Sequence, residues 1–310
     1  MQGLDLSRKY YQKYGPVFLS SISPSIKSRI AIGLVGEGSE CLGFDDGLSM
    51  DHDFGPGFCV WVPRNIYTQW SSELKTSYER LPKSFMGFER RETKLAGRRM
   101  GIFEVENFCK TLTGLEHSPQ SLEEWLRIPE QLLALLTDGE VFYDPTGYFS
   151  SIREAYTNFY PEQVLRKKIS ADMASMSQSG QYNFTRCLKR GAVVAANTAR
   201  SEFVQSTMAA LHLLTKTYMP FYKWSFRSLV ERAHVPLPIC VLLRKIASAS
   251  IYDVKEDQIN FLCKVILNSV SALGWVSTDS DFLLDVAVEI WQNLDSDSLR
   301  SCPLGEGMFH

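Results

Sequence analysis

Arg29-Ile-Ala-Ile-Gly-Leu-Val-Gly-Glu-Gly-Ser39 is followed, after a further eleven residues, by Asp51-His-Asp-Phe-Gly-Pro-Gly-Phe-Cys-Val-Trp-Val62. The apolar run from Arg29 to Val35 ends at Gly36 and reads as a buried strand. Gly36 to Leu48 is turn chemistry, with four glycines and the pair Asp45-Asp46. A second strand is expected around Asp51 to Val62, interrupted at Gly55-Pro56-Gly57. On a strand, residues two apart face the same way, so Asp51 and Asp53 project together while His52 and Phe54 take the reverse face. Two adjacent carboxylates repel, and each pKa rises unless a cation sits between them. A divalent ion with hard oxygen ligands answers that need: Mg2+, with Mn2+ as a substitute, its octahedron completed by triphosphate oxygens. The Gly38-Ser39 turn adds backbone N–H groups and a hydroxyl that can cradle phosphates.

A helix is expected over 65–80, where Tyr67, Trp70, Leu74 and Tyr78 recur at three- or four-residue spacing. Residues 80–99 are basic and punctuated by glycine, as a loop would be. Met100 to Phe108 alternates like a third strand, with Glu104 and Glu106 on one face. Alternation alone does not choose between them. Glu104, between Phe103 and Val105, is preferred, because a carboxylate in an apolar strand needs a partner. It would act as a ligand to the ion, as general base toward an acceptor hydroxyl, or as both.

From about Pro119 the period becomes helical. Two short helices precede Gly139 to Pro145, and long helical patterns then follow over 147–157, 162–176, 182–195, 199–218, 221–233, 238–248, 259–273 and 279–293. The expected architecture is α+β, with a small mixed-sheet domain over 1–147, a helical bundle over 148–300 and a frayed tail over 301–310.

Composition narrows the class. The 310 residues are 45% hydrophobic and 22% charged, with 13 prolines and 20 glycines, which excludes collagen-like and wholly disordered chains. A formal charge of −2 gives no global argument for nucleic acid or an anionic membrane as partner. No apolar stretch approaches the ~18 residues of a membrane span. Met1 to Pro16 reads as an amphipathic helix and lacks the apolar core of a signal peptide. Seven scattered cysteines, with no Cys-x-x-Cys, suit reduced thiols in a cytoplasmic protein and argue against zinc.

Competing motifs fail. An EF-hand would need its third oxygen ligand at Gly55. Gly36 to Cys41 imitates a dinucleotide fingerprint, yet Cys41 takes its last position and Gly43 to Gly47 forbid the helix that must follow. A P-loop lysine, His-Glu-x-x-His and Gly-x-Ser-x-Gly are absent. Asp-x-Asp pairs also arise by chance in turns, so weight falls on the combination of strand, Gly-Ser turn, Asp-x-Asp strand and acidic third strand. Arg90, Arg91, Lys94, Arg98 and Arg99 could steer an anionic acceptor, but Glu89 and Glu92 dilute them and a solvated loop is preferred. Lys167-Lys168 reads as a charged helix face. His212 and His234 have no second ligand at metal spacing and are read as core or surface packing residues. The aromatic series Tyr218, Phe221, Tyr222, Trp224 and Phe226 reads as bundle core, or as a stacking wall for a purine.

Gly38-Ser39 with Asp51-x-Asp53 resembles the signature of the polymerase-β-like nucleotidyltransferase superfamily. The architecture is similar to that of the aminoglycoside adenylyltransferases, which pair that domain with a C-terminal helical bundle. Gly33 to Cys41, Asp51-His-Asp-Phe-Gly-Pro-Gly-Phe58 and Tyr222-Lys-Trp224 more narrowly resemble a branch known only as a domain of unknown function. The sequence departs from the superfamily at His52, where an apolar residue is usual; a histidine there packs or contacts substrate. The resemblance implies that Gly38 and Ser39 bind nucleotide phosphates, that Asp51 and Asp53 hold Mg2+, and that Glu104 is the third acid. It also implies a cation from the helical domain on the triphosphate, with Lys223 first and Lys189 or Arg190 next. Lys223 is read equally well as a surface lysine lying beside aromatic residues.

The expected function is Mg2+-dependent transfer of an NMP, AMP above all, from an NTP to an acceptor hydroxyl with release of pyrophosphate. A small hydroxylated acceptor is favoured over a tRNA end or a protein side chain. The alternative is a nucleotide-binding, regulatory or protein-interaction module on the same fold.

Overall fold

Strand β1 (Ala31–Leu34) and strand β2 (Cys59–Val62) are buried at every position, as an unbroken apolar run requires when both faces of a strand are covered. A computed structural model describes residues 1–50, 54–90 and 99–308. The protein is α+β, with a small mixed sheet and an all-helical C-terminal region. The chain divides into two compact units, residues 1–118 with 132–158 and residues 119–131 with 159–310.

In the first unit, helices α1 (Gly3–Ser20) and α2 (Pro24–Lys27) lead into β1, and α3 (Ser39–Leu42) follows it. After β2 come α4 (Arg64–Glu79), the hairpin β3 (Ser84–Phe85) with β4 (Phe88–Glu89), strand β5 (Gly101–Glu104) and α5 (Val105–Thr113). The chain then passes through α6 (Leu122–Arg127), which belongs to the second unit, and α7 (Glu130–Thr137). It returns as β6 (Glu140–Tyr143) and α8 (Tyr148–Thr157). Strand order is β5-β2-β1-β6, with β1 antiparallel to β2 and to β6, and β2 parallel to β5. Ile32, Val60, Val62 and Ile102 face a core built with Tyr10, Phe18, Leu74 and Tyr78. Ala31, Cys59 and Trp61 face the opposite core with Val105, Cys109 and Phe149.

Three expectations change here. The third strand stops at Glu104, because Val105, Cys109 and Leu112 are buried at helical spacing in α5, which ends at Gly114 with φ +77°. Glu106 therefore lies in the first turn of a helix, not on a strand face beside Glu104. The span expected as loop over 80–99 contains the β3–β4 hairpin, turned by Met86 and Gly87 with φ of +51° and +84°. Helix α8 lies in the first unit rather than in a bundle beginning at residue 148, since its Phe149 stacks on Trp61 at 4.1 Å.

The second unit continues with α9 (Glu162–Met176), a π-helical segment over Ser177–Phe184, α10 (Thr185–Lys189) and α11 (Val193–Leu214). Beyond these lie α12 (Tyr222–Glu231), α13 (Leu237–Ser248), α14 (Glu256–Ala272), α15 (Leu283–Gln292) and α16 (Asp297–Ser301). Lys167 and Lys168 are fully buried, not a solvated face. The Lys167 ammonium donates to the carbonyls of Pro303, Leu304 and Glu306 at 2.6–2.9 Å, and Lys168 donates to that of Gly307 at 3.0 Å. The tail expected to fray is therefore bound to α9 as far as it is described. No helix among the described residues is long and apolar enough to cross a membrane.

Candidate functional site

The turn that leaves β1 needs glycine at two places. Gly36 and Gly38 have φ of +118° and +127°, backbone that a side chain would strain. Ser39 opens the single turn α3, which Gly43 ends with φ +72°. Glu40, in that turn, is 4% exposed. Burial pushes its carboxyl above the usual range, and the Arg99 guanidinium, which donates to it, pulls it back.

Arg99 was expected on a solvated basic loop. Its side chain is instead 16% exposed and folds over the turn, donating from Nε and Nη2 to the Glu37 carbonyl at 3.1 and 2.6 Å. Arg90 also points inward: Nε donates to the Pro56 carbonyl at 2.8 Å, and the guanidinium lies 4.9 Å from the Tyr78 ring centre. The Gly57 carbonyl accepts from Ser7 at 2.6 Å, and the Phe58 carbonyl from Tyr78 at 2.7 Å. The segment entering β2 is thus pinned at successive residues. Asp51, His52 and Asp53 lie outside the described residues, as do Arg91, Lys94 and Arg98.

Glu104 ends β5. A cavity of about 350 Å3 is lined by Gly36, Glu37, Arg99, Glu104, Asn107 and Thr111, among others, so the first turn and the third-strand acid share one space. Glu104 is ion-paired: Arg64 Nε donates to its Oε1 at 2.7 Å, while Arg64 Nη1 reaches Glu116 at 3.0 Å. Glu106 accepts from the Arg64 backbone N–H at 3.1 Å and from the Tyr148 hydroxyl at 3.2 Å, so it caps α4 and lines a separate groove with Arg29 and Ser151. Of the three acids read as metal ligands, only Glu104 is described, and its carboxylate is engaged by Arg64. Among the described residues no group of three or more His, Cys, Asp or Glu is placed to hold a metal ion.

The basic candidates of the helical region are all in the second unit. Lys223 is exposed near the start of α12, its ammonium 5.5 Å from the Trp224 ring centre, and Lys189 and Arg190 are exposed where α10 ends. The buried polar groups of this unit escaped the sequence reading. Glu130 is 1% exposed; one oxygen accepts from the Met219 N–H at 3.2 Å, and the other has no hydrogen-bond partner among the described residues. Burial pushes its carboxyl up to about 7, against the pull of Lys168. No spacing signal marks Glu130 or Lys168, since their burial depends on partners distant in sequence. His212, left between core and surface packing by the sequence, is a core residue. Its Nδ1 donates to the Met208 carbonyl at 2.8 Å, so the Ser228 hydroxyl donates to Nε2 at 3.1 Å.

The profile of a family described as a domain of unknown function, DUF4037, matches residues 125–225. No curated protein matches the chain. The matched span includes Glu130, Lys167, Lys168, Lys189, Arg190 and Lys223 and lies wholly outside the Gly38-Ser39 turn, the Asp51-x-Asp53 pair and Glu104.

Proposed function

We propose that the chain is a Mg2+-dependent nucleotidyltransferase that moves an NMP, with AMP favoured, from an NTP to an acceptor hydroxyl. The observation that carries the reading is the shared cavity, lined by the glycine turn that leaves β1 and by the acid that ends β5. In this reading the turn N–H groups and Ser39 hold the phosphates, and the Asp51-x-Asp53 pair holds the ion. When bound, the ion supplies charge neutralisation at the phosphates. The acceptor oxygen bonds to the α-phosphorus as the bond to pyrophosphate breaks, and Glu104 takes the hydroxyl proton. Arg64 fixes the orientation of that carboxylate. The acceptor is a small hydroxylated molecule, and the seven free cysteines support a reducing, cytoplasmic setting.

A second reading, nucleotide binding without transfer, is favoured by the same ion pair, because a general base must share or leave Arg64 to reach an acceptor. Calorimetry with non-hydrolysable NTP analogues, with and without Mg2+, tests the donor site. Binding that needs Mg2+ and disappears in a folded Asp51→Asn/Asp53→Asn variant is expected. Absence of binding to every analogue would remove both nucleotide readings. Turnover that survives in either single variant would remove the assigned chemistry.

A further inference from the structure

Arg99 contacts the glycine turn more closely than any side-chain substitution there would permit. A Cβ built on Gly38 would fall 1.6 Å from Arg99 Nη2, so the guanidinium occupies the space that the missing side chain leaves. The same nitrogen reaches the Glu37 carbonyl at 2.6 Å and the buried Glu40 carboxylate, joining the two sides of the turn. The base of the arginine is also held, since the Cys59 thiol donates to the Arg99 carbonyl at 3.2 Å and ties it to β2. These contacts have a consequence for the turn. In a trans peptide the C=O and N–H point opposite ways, so fixing the Glu37 oxygen on the guanidinium turns the Gly38 N–H away from it. Among the described residues that N–H has no acceptor.

We infer that Arg99 is a positioning residue that holds the Gly36–Ser39 turn in the form that binds the phosphate groups of a nucleotide. This rests on the nucleotidyltransferase reading. Arg99→Lys separates shape from charge, because an ammonium keeps the charge beside Glu40 but lacks the planar fork that reaches the Glu37 carbonyl and the Glu40 carboxylate together. The probes are adenosine, AMP and a non-hydrolysable ATP analogue with Mg2+, titrated by calorimetry into wild type and into variants shown to be folded by circular dichroism. Wild-type affinity rises with the number of phosphates. In Arg99→Lys the triphosphate analogue is expected to weaken about tenfold, with adenosine changed less than about twofold, the scale of one charge-assisted bond. Equal weakening of all three probes would mark a merely structural arginine and overturn the inference, as would unchanged affinities. Should Arg99→Lys not fold, Arg99→Gln/Glu40→Gln, which keeps the turn neutral, is judged by the same criteria. A wild type that binds none of the probes would defeat the nucleotide reading and this inference with it. A wild type that binds, beside an unaffected variant, would defeat only the role of Arg99.

Discussion

His212 and Glu130 are buried in the same unit and titrate in opposite senses. Burial holds the His212 imidazole down at about 4, from 6.5 for the free group, and lifts the Glu130 carboxyl to about 7, from 4.5. The folded state therefore resists protonation at His212. Its contribution is complete above pH 6.5 and is lost as pH falls through 4, amounting to roughly 3 kcal/mol. Glu130 behaves the other way. Its folded pKa is raised, so stability is lost as pH rises from 4.5 through 7. Across that window the two slopes oppose each other, and the wild-type profile is flattened. Urea unfolding from pH 4 to 8 is expected to show Glu130→Gln gaining on wild type as pH rises, and His212→Gln losing the acid-side fall. Parallel profiles for wild type and both variants would contradict the assignment.

Among the elements, the long helical run after Pro161 shows how a local defect is accommodated. The sequence suggests helices over 162–176 and 182–195 with a gap between them. The chain instead stays helical from Glu162 to Lys189 through a π segment over Ser177–Phe184, a local widening that helices use to admit an extra residue. Gly180 makes this packing possible, since a Cβ there would lie 2.3 Å from Cδ2 of Phe203. Gly180→Ala gains helix propensity yet overpacks the contact with α11, and it is expected to destabilise by about 1–3 kcal/mol. A chemical-denaturation midpoint equal to or above wild type would refute this. Strand β5 teaches the complementary lesson. Phe103 to Glu106 alternates apolar and acidic residues, which reads as a strand, but Val105, Cys109 and Leu112 are also spaced for a helix. Burial on the sheet decides for the helix from Val105 onward.

At the scale of the molecule, the C-terminal segment is part of the second unit's core. Lys167 and Lys168 are satisfied by its carbonyls, and burial brings the Lys167 ammonium down to about 8. Deleting residues 303–310 would leave two ammonium groups without those acceptors, at an expected loss of about 2–5 kcal/mol. Lys167→Met in the truncated chain should recover part of that loss, whereas in the full chain it should destabilise. Thermal unfolding of the four proteins gives the sign of the coupling directly, and additive effects would show that the tail does not depend on Lys167.

The sequence by itself determined the α+β class and the two central strands. Each of these depends on local composition, because an apolar run or a helical period is written in consecutive residues. It also singled out the Gly38-Ser39 turn and preferred Glu104 to Glu106; the structure adds that Glu104 lines a cavity with Gly36 and Glu37, at the start of that turn. Tertiary structure alone decided that Arg90, Arg99, Lys167 and Lys168 point inward. The partners that satisfy these charges stand far off in the chain: Glu40 is 59 residues from Arg99, and Pro303 is 136 from Lys167. A cation is solvated by default, and only folding brings carbonyls and a buried carboxylate close enough to replace the water it gives up.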